Sequence, residues 1–249
     1  MIPDKVRAAA AEHPYPLLFA TVSGAHLYGF PSADSDWDLR GVYILPFEQI
    51  AGLGPMDETV ELTRKDEIEL DLVTHDVKKF MTLLLRPNGY VLEQLLSPIV
   101  VVSTPEYVEL KELAQGCLTK HHVHHYLGFA DNQWKLFSKE ERPRIKPLLY
   151  TFRVLLTGIH LMREAKIEAN LVTLTELYPL PYIADLIARK QEGTEQEVLG
   201  RDEIAFYGEE CTSLRTRLVA ESDRTFLPES PSSGPALNDL LIRIRRSTL

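Results

Sequence analysis

Asp36 and Asp38 stand two residues apart in a stretch, Val22 to Tyr43, that reads VSGAHLYGFPSADSDWDLRGVY. Side chains on a strand alternate between faces with a period of two, so a strand through this pair turns both carboxylates one way and Trp37 and Leu39 the other. Two carboxylates on one face suit a hard divalent cation such as Mg²⁺, which takes oxygen ligands and commonly keeps water and substrate phosphates in the rest of its shell. A hairpin loop with solvated aspartates gives the same spacing without a metal. The residues ahead of the pair favour the metal. Gly24 and Gly29 bracket a short apolar turn, and Pro31, Ser32, Asp34 and Ser35 form a loop that delivers the chain into the strand. A glycine directly after the apolar run Leu17 to Val22 lets backbone approach a ligand closely, and exposed amides beside a helix start suit a phosphate.

The elements that must position these residues form an α/β (α+β) pattern. A short helix is expected near Asp4 to Glu12, a strand at Leu17 to Ser23 and a second at Asp36 to Leu45. A loop from Pro46 to Asp57, with Gly52, Gly54 and Pro55, leads to a strand near Thr59 to Thr63 and another at Ile68 to Thr74. On that last strand Glu69 and Asp71 share one face, and Ile68, Leu70 and Leu72 share the other. Val77, Phe80, Met81, Leu84 and Leu85 then recur at helical spacing, and helices dominate from Pro105 onward. Pro143 and Pro147 mark the start of a long helix running to about Lys166. PESPSSGP, Pro228 to Pro235, reads as a polar linker before a last helix at Ala236 to Arg246. These patterns divide the chain into an α/β domain over 1–103, which carries the carboxylates, and a helical domain over 104–249.

The 249 residues, 45% hydrophobic and 25% charged, are enough to bury a sizeable core. No apolar run of membrane-spanning length and no signal-peptide pattern occurs, so a cytoplasmic protein without a membrane partner is expected. Cys117 and Cys211 form no CxxC and read as buried free thiols. A net charge of −9 weighs against broad, nonspecific binding of a polyanion. Locally, Arg142, Arg144, Lys146, Arg153, Arg163 and Lys166 lie along one helical region, and Arg243, Arg245 and Arg246 end the chain in a basic stretch that reads as a solvated, frayed tail. His121 and His125, four apart, could chelate one ion from one helix face. Without cysteine or carboxylate at ligand spacing, however, the histidines at 121, 122, 124 and 125 read as surface or interface groups.

The pattern SG-x₄-G-x₅-SD-x-D-x₂-GVY resembles the nucleotidyltransferases of the DNA polymerase β superfamily, and most closely their YcgL-like branch, which includes proteins associated with RNA repair. The match extends over the first hundred residues and is weaker beyond them. It implies a polymerase-β-like nucleotidyltransferase domain with a mixed sheet, followed by a helical domain. It also implies a third carboxylate on a later strand, for which Asp71 is the candidate and Glu69 the runner-up. Asp36, Asp38 and Asp71 would then hold Mg²⁺ (or Mn²⁺), two ions in all, and be both the metal ligands and the catalytic residues. The donor would be a nucleoside triphosphate and the acceptor a hydroxyl, of RNA or tRNA. Gly24 matches the family's glycine, but Ala25 stands where the family has a serine that helps hold the triphosphate, so Ser23 or backbone amides would have to take its place. Lys146, Tyr150 and Arg153, spaced i, i+4 and i+7 on one helix face, are by the same resemblance candidates for phosphate and base contact. A structural helix with a half-buried tyrosine and snorkelling cations explains that spacing equally well. The missing serine motivates one alternative, a binding module for nucleotides or RNA ends with weak catalysis; a second keeps the chemistry and changes the acceptor to a protein hydroxyl.

Overall fold

The computed structural model of the chain describes residues 2–65, 68–139, 143–192 and 199–247. In chain order its elements are α1 (Asp4–Ala11), β1 (Leu17–Val22), α2 (Gly24–Tyr28), β2 (Trp37–Tyr43), α3 (Phe47–Ala51), β3 (Thr59–Lys65), β4 (Glu69–Asp76), α4 (Val77–Leu84), α5 (Gly89–Leu95), β5 (Val100–Ser103) and α6 (Pro105–Ala114). There follow α7 (His122–Lys139), α8 (Ile145–Glu164), α9 (Leu171–Leu177), α10 (Tyr182–Gln191), α11 (Arg201–Arg224) and α12 (Gly234–Arg246). The chain folds into two compact units, one made of Met1–Leu27, Ser35–Leu118 and Ser230–Leu249, the other of Tyr28–Asp34 and Thr119–Glu229. This division differs from a single cut after residue 103. α6 stays with the first unit because Tyr107 stacks on Phe19 of β1, ring centroids 4.7 Å apart, and α12 returns to it through Arg245.

The first unit is built on a five-stranded mixed sheet in the order β3-β4-β2-β1-β5, in which β2 and β4 run parallel and the other neighbours antiparallel. Alternation along the strands decides its two faces. Ala20, Val22, Leu39, Leu70 and Leu72 pack with Val6, Ala9 and Ala10 of α1 in one apolar cluster, with Trp37 and Leu62 against it. Burial of each such large side chain contributes about 1.5–3 kcal/mol. The same alternation sends Asp38, Arg40 and Asp71 to the opposite face. That is the face toward α5: Thr21 Oγ1 donates to the Gln94 carbonyl at 2.7 Å and Arg40 reaches Tyr90.

α4 starts at Asp76, whose side chain accepts from the Lys78 amide at 3.0 Å, and buries Val77, Phe80, Met81 and Leu84. α12 buries Leu237, Leu240 and Ile244. From its last turn Arg245 Nη2 donates to both Asp76 oxygens, at 2.6 and 2.7 Å, and Nη1 to the Leu45 carbonyl at 3.2 Å. Arg243 pairs with Glu109. The basic end expected to fray is therefore a docked helix in which Arg243 and Arg245 have acidic partners.

The second unit is built around α8, in which Leu148, Leu149, Phe152, Leu155, Leu156, Ile159 and Leu161 are fully buried. Arg142 of the expected basic cluster lies outside the described residues. The short segment Tyr28–Asp34 belongs to this unit and is held by several of its side chains. Gly29, at φ 87°, lies against the Asn170 carboxamide that caps α9. Lys190 Nζ, on a residue only 2% exposed, donates to Ser32 Oγ at 2.9 Å, and Gln191 Nε2 donates to the Pro31 carbonyl at 3.3 Å.

The clustered histidines take separate partners, although the His121 and His124 rings stack with centroids 6.1 Å apart. His121 Nε2 lies 3.1 Å from the Glu229 carboxylate, buried His122 accepts from the Thr119 amide at 3.2 Å, and His125 meets Tyr126 edge-on. Burial, reinforced by His122 and Arg153, pushes the His125 pKa down to about 4. The unfolded chain takes up this proton near pH 6.5 and the folded chain only near 4, so the stability at stake is intact above pH 6.5 and is lost as the pH falls toward 4. The expected loss from this residue is about 2 kcal/mol. Urea unfolding at pH 7 and pH 4.5 checks it: His125→Gln should show a smaller drop between the two than the parent protein.

Three further differences from the sequence reading have simple causes. α3 occupies part of the expected Pro46–Asp57 loop, and α2 occupies the expected turn between Gly24 and Gly29. Each is five residues long, too short to show a 3.6-residue repeat. β5 arises from Val100–Ser103, in a continuous apolar run with no alternation to mark it as a strand.

Candidate active site

The parallel register of β2 and β4 places Asp38 directly opposite Asp71. Arg40, two positions beyond Asp38 and so on the same face, reaches back between them. Its Nη2 donates to Asp38 Oδ1 at 2.8 Å and to Asp71 Oδ2 at 3.0 Å. Nη1 donates to the carbonyls of Leu39 (3.0 Å) and Asp71 (2.7 Å), and Nε to the Tyr90 hydroxyl at 3.0 Å. These bonds use all five guanidinium N–H donors. Burial works against the charge on Arg40, but Tyr90 and the two carboxylates outweigh it and hold the group above its ordinary range. Sequence reasoning passed over Arg40. Its signal was the period-two position beyond Asp38, which puts a cation on the carboxylate face.

Register also separates the candidates for the third carboxylate. Pairing of β2 with β4 begins at Trp37 and Leu70, so Asp71 faces Asp38 whereas Glu69 lies beyond the paired stretch and opposes Lys65 of β3. Thr63 Oγ1 donates to Asp71 Oδ1 at 3.3 Å. Asp36 departs from expectation. β2 begins at Trp37, and Asp36 lies exposed in the loop before it, off the strand that carries Asp38. Parallel pairing gives it no partner to hold it in the ladder.

β1 meets the pair at its carboxyl end. The Ser23 amide donates to the Asp38 carbonyl at 2.8 Å. The Ser23 hydroxyl is buried and has no hydrogen-bond partner among the described residues. Gly24 has φ 62° and lies so close to Asp38 that a Cβ would run into its carboxylate. A left-handed backbone costs a side-chain-bearing residue roughly 1–2 kcal/mol, and the clash adds to that. Gly24→Ala is therefore expected to lower stability by at least about 1 kcal/mol, as read from urea unfolding. A variant as stable as the parent would show that the Asp38 carboxylate steps aside freely.

In the second unit, Lys146 is exposed at the start of α8 and Tyr150 is half-buried, edge-on to Tyr28 and Phe30. Arg153, 1% exposed, places its guanidinium 3.7 Å from the centre of the Tyr28 ring. The helix-face spacing read from sequence is present, and two of its three members are engaged with the Tyr28–Asp34 segment.

Donor chemistry tests the fit of a divalent cation. Asp38 and Asp71 supply hard oxygens, their side chains are 28% and 39% exposed, and together they already close on one cationic nitrogen. A pair that grips positive charge in this way suits one such ion. Among the described residues no group of three or more histidine, cysteine, aspartate or glutamate side chains stands assembled as a metal cage.

A scan against family models matches residues 1–243 to RlaP, the RNA repair pathway DNA polymerase beta family. The chain belongs to that family. The RlaP match runs through both units and covers the Gly24, Asp36, Asp38 and Asp71 positions. Family match and mixed sheet together bear out the polymerase-β-like α/β fold read from the sequence. Among curated proteins the chain is 33% identical over 154 residues to an uncharacterized protein of Methanocaldococcus jannaschii, an alignment covering 61% of this chain and 63% of that relative, less than two thirds of its length. It is 24% identical over 247 residues to the uncharacterized protein YcgL of Bacillus subtilis, covering 96% of this chain and 93% of that one. A crystal structure of a nucleotidyltransferase-like protein from Exiguobacterium sibiricum is 12% identical and aligns over 98% of this chain and 76% of its own, with a TM-score of 0.32.

Among the described residues no helix is long and apolar enough to cross a membrane. Cys117 and Cys211 are both free and buried, as their spacing suggested.

Proposed function

We propose that this protein is a metal-dependent nucleotidyltransferase that moves a nucleoside monophosphate from a nucleoside triphosphate to a hydroxyl of RNA or tRNA during cytoplasmic RNA repair. The observation that carries the reading is the opposed pair Asp38 and Asp71, with Gly24 against Asp38, in a chain of the RNA repair polymerase beta family. Asp38 and Asp71, with Asp36 from the loop before β2, are the residues that would hold Mg²⁺ or Mn²⁺. When bound, such an ion neutralises phosphate charge and lowers the pKa of an attacking hydroxyl.

The chain's own residues supply position and charge. Asp38 and Asp71 face the reacting hydroxyl as ionised acceptors, and Asp71 takes its proton as the hydroxyl oxygen bonds to the α-phosphorus. The bond from the α-phosphorus to its bridging oxygen breaks in the same displacement, and pyrophosphate leaves. Gly24 lets backbone amides approach the phosphates where a side chain would exclude them. The phosphate and base contacts expected of Lys146, Tyr150 and Arg153 belong to the same proposal.

Incubation with each α-labelled nucleoside triphosphate, Mg²⁺ or Mn²⁺ and tRNA or nicked RNA tests it. Label on RNA with release of pyrophosphate is the expected result. Label on protein would move the acceptor to a protein hydroxyl. Tight nucleotide binding by calorimetry with no pyrophosphate released would favour a binding module, the reading that Ala25 in the serine position supports.

A further inference from the structure

We propose that Arg40 is the resident cation of the Asp38–Asp71 pair, so that this site takes one divalent ion where the two-ion arrangement would take two. The inference rests on the nucleotidyltransferase reading and deepens it. Arg40 is 8% exposed and anchored from three directions: its own strand through the Leu39 carbonyl, the neighbouring strand through the Asp71 carbonyl, and α5 through Tyr90. None of these anchors involves a carboxylate, so the guanidinium keeps its place between Asp38 and Asp71 whether or not a ligand is present. It then takes one oxygen from each carboxylate at 2.8 and 3.0 Å.

In a two-ion site, a second dication shares the carboxylates and neutralises charge between them. Here a fixed guanidinium already does both. Two carboxylates and one guanidinium leave one net negative charge, which a first dication more than neutralises; a second drawn to Asp38 and Asp71 would add to an excess of positive charge within a few ångströms of Arg40, in a partly buried setting where like charges repel strongly. An arginine cannot lose its charge to make room. Arg40 is accordingly a positioning residue: it sets the separation of the carboxylates and limits how much metal they accept.

Counting bound Mn²⁺ by electron paramagnetic resonance of the free ion, on the full chain without nucleotide, tests this. The parent protein is expected to bind one Mn²⁺ per chain. Arg40→Lys retains the charge and should also bind one. Arg40→Met removes it, and should bind two, or bind the first at least about tenfold more tightly. Circular dichroism shows whether Arg40→Met folds, and if it does not, the parent and Arg40→Lys counts decide. Two ions in the parent, none in the parent, or an unchanged single ion in folded Arg40→Met would each overturn the inference. The nucleotidyltransferase reading fails separately, if one ion binds and no nucleotide is transferred to any acceptor; the count of one then still stands.

Discussion

Asparagine in place of Asp38 is expected to reduce nucleotide transfer by about 10²-fold or more, the scale at which loss of even an outer partner damages a metal site. Asp38 stands where the strand register, Gly24 and Arg40 all meet. Asparagine keeps its shape and removes its charge, so the loss isolates electrostatics from packing. Stability should change by less than about 1 kcal/mol, because the ion pair with Arg40 is partly solvated and Arg40 retains Asp71. Initial rates of labelled phosphate transfer, measured beside thermal unfolding, check both halves. Asp71→Asn should behave alike. A parent-like rate in either variant would remove the pair from the chemistry, and a larger loss in Asp36→Asn than in both would shift the site into the loop before β2.

Methionine in place of Arg245 should cost stability rather than activity, by about 3–5 kcal/mol. Asp76 is buried, its side chain 4% exposed, and Arg245 engages both its carboxylate oxygens. Without Arg245 the carboxylate keeps the Lys78 amide at the start of α4 but has lost its counter-charge in a dry position. Urea unfolding with an unchanged slope measures the loss as a shift in midpoint. The double variant Arg245→Met with Asp76→Asn should recover much of it, since asparagine still caps the helix and carries no charge to strand. A loss below about 1 kcal/mol in the single variant would mean that α12 is dispensable to α4.

Both predictions rest on residues whose legibility in the sequence differed. Asp38 and Asp71 were readable because alternation along a strand is a local property, and each sits in a run whose apolar members mark the opposite face. Asp36 was misplaced by one position, for alternation says which way a residue points but not where pairing stops. Arg245 was readable only as a basic residue near a terminus. Its partner lies 169 positions away, and no local pattern links an arginine to a helix cap at that distance. Arg153 and Tyr150 were recognised as one helix face, but what they meet, Tyr28 and Phe30, depends on a seven-residue segment leaving one unit to pack in the other.

The sequence by itself determined the family motif, the α/β character, the carboxylate face of two strands and the need for glycine before the pair. Period-two and period-3.6 repeats are written by neighbours in the chain, and burial enforces them wherever the segment ends up. Tertiary structure alone decided that β2 and β4 lie side by side in parallel, that Asp71 rather than Glu69 opposes Asp38, and that Arg40 stands between them. Those outcomes depend on strand order and register, which long-range pairing sets. The charge at the centre of the site therefore became visible only once the two strands were aligned.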